Sequence, residues 1–333
     1  MPEPLISVII PAYKAAPYIQ KTLEAVRGQT FSDYELIVVN DGSPDTAEFE
    51  RAILPYRQFL TYVFQPNCGA AAARNTALRM ARGRYVAFLD ADDIWFSTYL
   101  EQQYGFLAAH PEADLVYADA RLVGDSPLAG RTFMQTAPSR GRVTVKSLLS
   151  LRCHVIASGV VARRSAILDA GMFDETIARG HDFDLWVRLA RRGARLTYQR
   201  KVLLTRQIHL DSLSGDSMNE SQRALDGLRR IQRSMALSRD ERAALERSVA
   251  WLSARLELER GKQHFASGDI PVTIAAVARA HRLYPRLKLR VILLALRIAP
   301  LWLQRLHRAR RRTRLARSPD AITRLADAPP LRS

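Results

Sequence analysis

The stretch Tyr85-Val86-Ala87-Phe88-Leu89-Asp90-Ala91-Asp92-Asp93 decides how this chain folds and what it can hold. Its first five residues are apolar, aromatic or β-branched, as in a short strand buried on both faces of a mostly parallel sheet. Sheets of that kind take ligands at the carboxyl edge of their strands. Three carboxylates within four residues repel one another and raise one another's pKa. A divalent cation relieves that repulsion, and hard oxygen donors suit Mg²⁺ or Mn²⁺. The stretch therefore reads either as a metal site for a phosphorylated ligand or as a solvated acidic turn in which Asp93 caps the next helix.

Upstream, Leu5-Ile6-Ser7-Val8-Ile9-Ile10 runs into Pro11-Ala12-Tyr13, and Glu35-Leu36-Ile37-Val38-Val39 runs into Asn40-Asp41-Gly42-Ser43. Between them, Tyr18, Ile19, Leu23 and Val26 follow helical spacing after Pro17. Strand, helix and strand in so short a span make a βαβ unit with a right-handed crossover. Asn40-Asp41-Gly42-Ser43-Pro44-Asp45 is turn chemistry, with Ser43 or Asp45 as a helix cap. Asp41, at a strand's carboxyl end, is alternatively an acceptor for the donors of a base or ribose. No Gly-x-Gly-x-x-Gly follows the first strand, which disfavours a dinucleotide fold. Residues 61–64 read as a third strand and residues 70–81 as an alanine-rich helix. That helix carries Asn75 and Arg74, the latter a surface cation or an anion-facing one.

Downstream, residues 97–110 read as a helix and 114–117 as a strand. Residues 119–149 have weak periodicity and are expected to be irregular, as lids often are. In Ala157-Ser158-Gly159-Val160-Val161-Ala162 the glycine marks a strand that a backbone or a ligand approaches closely. Arg179-Gly180-His181-Asp182 opens a helix whose apolar face is Leu185, Trp186 and Leu189. Asp182 stands where the helix dipole favours negative charge, and on that ground alone it reads as a cap. Residues 194–204 are extended, and His209 falls in a polar turn over 205–214.

The 333 residues are 47% hydrophobic and 25% charged, with ample apolar material for a sizeable core. Two cysteines, Cys68 and Cys153, make neither a disulfide framework nor a zinc site and fit a reducing compartment. Residues 1–4 carry no basic residue and the apolar run 5–10 ends at Pro11, so no signal peptide is expected. No run is long enough to span a bilayer. The composition shifts after residue 215: residues 220–260 and 272–283 read as helices, and 287–303 is an apolar stretch interrupted by Lys288, Arg290, Arg297 and Pro300. Seven arginines follow between 305 and 317, where much of the net charge of +17 resides. An apolar stripe flanked by arginine suits an interfacial helix on an anionic membrane; the bland alternative is a packing helix with a solvated basic end. Base-reading aromatics and nucleic-acid modules are missing from the sequence, so nucleic acid is not an expected partner. The expected organisation is a domain over 1–215, a basic helical region over 216–317 and a disordered tail over 318–333.

Taken together, these segments resemble an inverting family 2 glycosyltransferase of the GT-A fold. The resemblance rests on Ser7-Val8-Ile9-Ile10-Pro11-Ala12-Tyr13, Gln29-Thr30-Phe31, the strand ending in Asn40-Asp41-Gly42-Ser43, Asn67-Cys68-Gly69 through Arg74-Asn75, Phe88 through Asp93 with Trp95, and His181-Asp182 with Asp184-Leu185-Trp186. Each is weak alone; their order and spacing from residue 5 to about 215 are specific. The resemblance implies an α/β GT-A sandwich with a C-terminal helical extension. It implies that Pro11, Tyr13 and Asp41 hold the nucleotide base, that Arg74 contacts base or phosphate, and that Asp90 lies near the ribose. Asp92 would be the direct ligand of Mg²⁺ or Mn²⁺, His209 a metal or phosphate contact, and Asp182 the catalytic base. The implied donor is a nucleotide-sugar, a UDP-sugar foremost. The implied acceptor is a glycan or lipid-linked hydroxyl in surface polysaccharide or lipopolysaccharide assembly, met in the cytoplasm at the inner face of the plasma membrane.

Two departures stand out. The family's usual aspartate pair after the second strand is Asn40-Asp41 here, and its usual Glu-Asp before the late helix is His181-Asp182. A sugar-nucleotide nucleotidyltransferase is the competing enzyme class, but it would carry a glycine-rich, basic loop where Pro11-Ala12-Tyr13-Lys14-Ala15-Ala16 stands. A non-catalytic nucleotide-sugar-binding membrane protein is the third reading, opposed by the retention of Asp41, Asp90, Asp92 and Asp182 together.

Overall fold

The structure is a computed structural model that describes residues 3–208, 217–300 and 302. The chain divides into two compact units, Met1–Ser248 and Val249–Ser333.

The first unit is built on one eight-stranded sheet. Its strands are β1 (Ile6–Ala12), β2 (Tyr34–Asp41), β3 (Thr61–Gln65), β4 (Tyr85–Phe88), β5 (Ile94–Trp95), β6 (Leu115–Gly124), β7 (Val160–Arg163) and β8 (Leu196–Ile208), in spatial order β3-β2-β1-β4-β7-β6-β8-β5. The β3-β2-β1-β4 half is wholly parallel, as the apolar runs require. Antiparallel β7 then joins β4 to β6, and β6 pairs parallel with β8. Helices α1 (Ile19–Arg27), α2 (Thr46–Ile53) and α3 (Ala70–Met80) are the parallel half's crossovers, and α4 (Tyr99–Ala109) follows β5. In α1 the buried residues Ile19, Thr22, Leu23 and Val26 form the helical stripe that the spacing predicts.

The segment after β6 is more regular than its weak periodicity suggests. β6 continues to Gly124, paired with β8 across register shifts on either side of Asp119, and two short helices follow, α5 (Phe133–Thr136) and α6 (Val145–Leu149). Each short helix starts with a reciprocal capping box, Thr132 with Gln135 and Thr144 with Ser147, which satisfies end groups that so few residues leave open. Residues 157–159 form a 3₁₀ turn before β7. A Cβ on Gly159 would lie 3.1 Å from the Ala118 carbonyl oxygen, so the close approach at this glycine is to another backbone. β8 runs to Ile208, past the point where the sequence turns polar, because β6 and β5 both pair with it there. Helices α7 (Arg164–Asp169) and α8 (His181–Arg191) complete the part that positions the site.

The long helical run expected over 220–260 is two helices, α9 (Ser217–Ser234) and α10 (Arg239–Ser267). Ser238 and Glu241 break it: the Glu241 carboxylate accepts from the Ser238 N–H at 2.9 Å, and Ser238 Oγ accepts from the Glu241 N–H at 3.3 Å. The second unit takes the far part of α10 with α11 (Ile270–Leu283) and α12 (Leu287–Ile298). Its own small core contains Ala254, Val277, Ala280, Leu289 and Leu296. Among the described residues no helix is long and apolar enough to cross a membrane.

Candidate active site

The carboxyl ends of β1, β2 and β4 meet at one edge of the sheet, because the three strands are parallel and adjacent. Pro11 pairs with Val39 and Ala12 with Asn40, so Pro11, Tyr13 and Asp41 leave the sheet together. Pro11 is half-buried, and Tyr13 is exposed with the Lys14 ammonium 5.6 Å from its ring centre.

Asp41 is 3% exposed and accepts three hydrogen bonds from its own chain. Its Oδ1 accepts from Gln65 Nε2 at 2.7 Å and the Cys68 N–H at 2.9 Å; its Oδ2 accepts from the Gly69 N–H at 2.8 Å. The carboxylate thereby holds the turn that leads into α3. Gly42 is needed beside it: its φ is +59°, and a Cβ there would lie 2.4 Å from the Asn67 nitrogen. Asn40, which replaces the family's usual carboxylate, builds the turn. Its Oδ1 accepts from the Ser43 N–H at 3.0 Å, and its Nδ2 donates to Thr46 Oγ1 at 3.0 Å and the Tyr62 hydroxyl at 3.1 Å. Neither Ser43 nor Asp45 caps α2 with its side chain. Both instead accept from the β1–α1 loop: Ser43 Oγ from the Lys14 N–H at 2.6 Å and Asp45 Oδ2 from the Ala16 N–H at 3.0 Å.

The acidic turn after β4 is clamped from two sides. Thr22, buried on α1, donates its hydroxyl to the Ala91 carbonyl at 2.8 Å and the Asp93 carbonyl at 3.1 Å. Ser158 Oγ accepts from the Asp90 N–H at 3.1 Å, and the Ser158 carbonyl accepts from Trp95 Nε1 at 2.7 Å. Within this clamped turn the carboxylates diverge. Asp90 is partly exposed and pairs with Arg74, 2.5 Å from its Nη2. Asp92 is partly exposed as well. Asp93 is 2% exposed and is no helix cap: its Oδ1 accepts from the Gln207 N–H of β8 at 2.9 Å. Burial, reinforced by the charges of Asp92 and Asp90, pushes the Asp93 carboxyl well above the usual carboxylate range.

Arg74 links this turn to α8. It is buried in α3, with one terminal nitrogen on Asp90 and the other 2.7 Å from His181 Nε2. A guanidinium only donates, so His181 Nε2 is the acceptor and the imidazole is neutral with its proton on Nδ1. Burial first, and the Arg74 charge second, hold the His181 pKa below the usual imidazole range. His181 opens α8, and Asp182 follows it, partly buried, with its Oδ1 accepting from the Phe183 N–H at 2.9 Å. The side chain of Asp182 is therefore no cap for α8, whose N-cap is Gly180. Aromatic packing fixes the helix over the end of β4: Phe88 meets Phe173 at 5.3 Å and Trp186 at 6.4 Å, and Phe173 meets His181 edge-on at 5.6 Å. Asn75 ties the Phe173 backbone to α3, donating to its carbonyl at 2.8 Å and accepting from its N–H at 3.0 Å.

Six of the eight residues singled out in the sequence, Pro11, Tyr13, Asp41, Arg74, Asp90 and Asp92, thus lie in the turns at this sheet edge or on the helix entering it. Asp182 stands next in the chain to His181, which contacts Arg74. His209 lies outside the described residues. His181 and Asp93 are participants the sequence reading left in minor roles. Among the described residues, no group of three or more His, Cys, Asp or Glu side chains converges to hold a cation alone. Mg²⁺ bound between a protein and phosphates takes one or two carboxylates, with ligand oxygens completing its shell. Asp92 and Asp90, both partly exposed at the turn, would supply hard donors of that kind. The donor set fits the ion.

A mixed α/β sheet with a parallel half, an acidic turn at its carboxyl edge and a late helix opening on acidic residues is the architecture of the GT-A class of glycosyltransferases. Solved structures agree on the fold. The chain superposes on a mannosyltransferase of Pyrobaculum calidifontis in complex with GDP-Man and Mn²⁺ with a TM-score of 0.59 at 20% identity, over 91% of this chain and 83% of that one. It superposes on TarS of S. aureus in complex with UDP with a TM-score of 0.55 at 20% identity, over 88% and 86% of the two chains. The family profile Glycosyl transferase family 2 matches residues 7–168. An Escherichia coli protein named UDP-Glc:alpha-D-GlcNAc-diphosphoundecaprenol beta-1,3-glucosyltransferase is 30% identical over 57% of this chain and 71% of its own length. The chain belongs to glycosyl transferase family 2. It spans 68% of an uncharacterized glycosyltransferase of Rickettsia prowazekii and 36% of another from Rickettsia conorii.

Proposed function

We propose that this protein moves a sugar from a nucleotide-sugar, a UDP-sugar foremost, to an acceptor hydroxyl with inversion at the anomeric carbon, using Asp182 as general base. The observation that carries this reading is the contact chain Asp90–Arg74–His181, whose last member is the chain neighbour of Asp182. It supports one pocket that begins in the acidic turn and ends at the late helix. Pro11, Tyr13 and Asp41 would flank the base. Asp41 already accepts three hydrogen bonds, so a ring N–H would take its remaining acceptor capacity. Asp90 would lie at the ribose, and Asp92 would hold Mg²⁺ or Mn²⁺ against the diphosphate. A cation held there would supply positive charge to offset that of the leaving diphosphate. His209 is a further metal or phosphate contact on the resemblance alone.

The acceptor hydroxyl would approach opposite the leaving group and give its proton to the Asp182 carboxylate as its oxygen attacks. A single base and in-line displacement give inversion. Asp182→Asn is expected to lower kcat by about 10²–10⁴-fold, the usual share of a general base, while UDP still binds in the presence of Mn²⁺. Undiminished turnover in that variant would sink the base assignment. The acceptor expected is a glycan or lipid-linked hydroxyl of surface polysaccharide or lipopolysaccharide assembly. Lipid-linked acceptors are displayed at the inner face of the plasma membrane, and the basic C-terminal region would hold the enzyme there.

A further inference from the structure

Helix α12 buries one face and leaves an equally apolar one in solvent. Leu289 and Leu296 enter the small core of the second unit with Ile292 and Leu293. On the opposite side Leu287, Val291, Leu294 and Ile298 are 76%, 59%, 59% and 73% exposed. At spacings of four, three and four residues, these side chains fall within an arc of roughly 60° on a 3.6-residue turn. The same turn geometry puts Lys288 at one border of the stripe and Arg290 and Arg297 at the other, and all three are exposed. Beyond Pro300, Trp302 is 61% exposed.

A helix fully apolar on two faces and basic along both borders is built for an interface between apolar and anionic matter. Long cationic side chains at the borders reach outward while the stripe sinks. The surrounding sequence excludes charge neutralisation from within: residues 270–319 hold 13 Lys and Arg and no Asp or Glu. A second copy docked on the stripe would bring matching basic borders together with no acidic residue on that segment to oppose them. An anionic lipid surface complements both features at once.

We infer that the outer face of α12 is the membrane anchor of this protein: Leu287, Val291, Leu294 and Ile298 insert among the acyl chains of an anionic bilayer, and Lys288, Arg290 and Arg297 bind its phosphate headgroups. This deepens the membrane reading of the proposed function by naming the contact face and lipid class, and it rests on that reading alone, not on the assignment of the active site.

The test uses the full chain and two probes, vesicles of phosphatidylcholine alone and of equal parts phosphatidylcholine and phosphatidylglycerol. Wild type is expected to sediment with the anionic vesicles and not with the neutral ones. Val291→Glu/Leu294→Glu should weaken that binding on the order of tenfold or more, since two carboxylates replace inserted apolar groups. Both positions are exposed, so the variant should keep its melting temperature and its Mn²⁺-dependent UDP binding. Lys288→Gln/Arg290→Gln/Arg297→Gln should bind more weakly and with a shallower dependence on salt. Unchanged anionic-vesicle binding in Val291→Glu/Leu294→Glu overturns the inference, as does a wild type indifferent to lipid charge. A concentration-dependent dimer that this double substitution dissolves, with no vesicle binding, overturns it in favour of self-association. Loss of UDP binding in wild type with vesicle binding intact would count against the active-site reading and leave the anchor standing.

Discussion

Asp41 and the Asp90–Asp93 turn flank β1 on either side, at the carboxyl ends of β2 and β4, and the two settle their charge in opposite ways. Asp41 is buried with three donors from its own chain, two of them backbone N–H groups. In the other turn three carboxylates crowd together, the Arg74 guanidinium pairs with Asp90, and the most buried member, Asp93, is held toward its protonated form by burial first and by the charges of the other two second. The same residue type at the same edge of one sheet therefore does two jobs. Asp41 is a structural pin. The acidic turn gathers negative charge and holds its shape through Thr22 and Ser158.

Three substitutions probe this contrast. Asp41→Ala strands its three donors and should lower unfolding free energy by about 3 kcal/mol, equally with and without metal, as followed by denaturant unfolding. A loss that disappears on adding Mn²⁺ and UDP to the variant would erase the distinction between the two turns. Asp92→Asn should weaken Mn²⁺-dependent UDP binding on the order of 30-fold by calorimetry. An equal loss of UDP affinity without metal would class Asp92 with Asp41. Asp93→Asn has the smallest effect. Its carboxyl is raised, so its stabilising contribution is complete below the unfolded value of about 3.9 and is lost as pH rises through the folded value. Asparagine keeps an acceptor for the Gln207 N–H and removes the charge. Neutral-pH stability without metal should rise by about 1 kcal/mol, and the decline from acid to neutral pH should flatten in thermal melts. A lower melting temperature at neutral pH would show that the Asp93 charge is already compensated.

Much of this was legible from spacing. Apolar runs ending in Asp41 and Asp90 marked the parallel half of the sheet, and ordered short motifs pointed to the family. What escaped depends on partners far along the chain. Asp93 reads as a cap because the Gln207 N–H that it accepts lies 114 residues away on β8. His181 reads as a missing carboxylate, since its contact with Arg74 spans 107 residues. Asp41 reads as an open acceptor because backbone donors such as those of Cys68 and Gly69 leave no mark on residue identity. The break between α9 and α10 is different: Ser238 and Glu241 spell a capping box that was there to be read. β8 outran its apolar pattern because two neighbouring strands satisfy its backbone whatever its side chains are.

Arg74 is one cation divided between a carboxylate of the acidic turn and an imidazole of the late helix. Replacing either partner frees the guanidinium to lean toward the other, so a change at Asp90 alters the surroundings of Asp182, and a change at His181 alters the acidic turn. Positions 90 and 181 are thus epistatic by construction: a substitution tolerated at one depends on which residue holds Arg74 at the other.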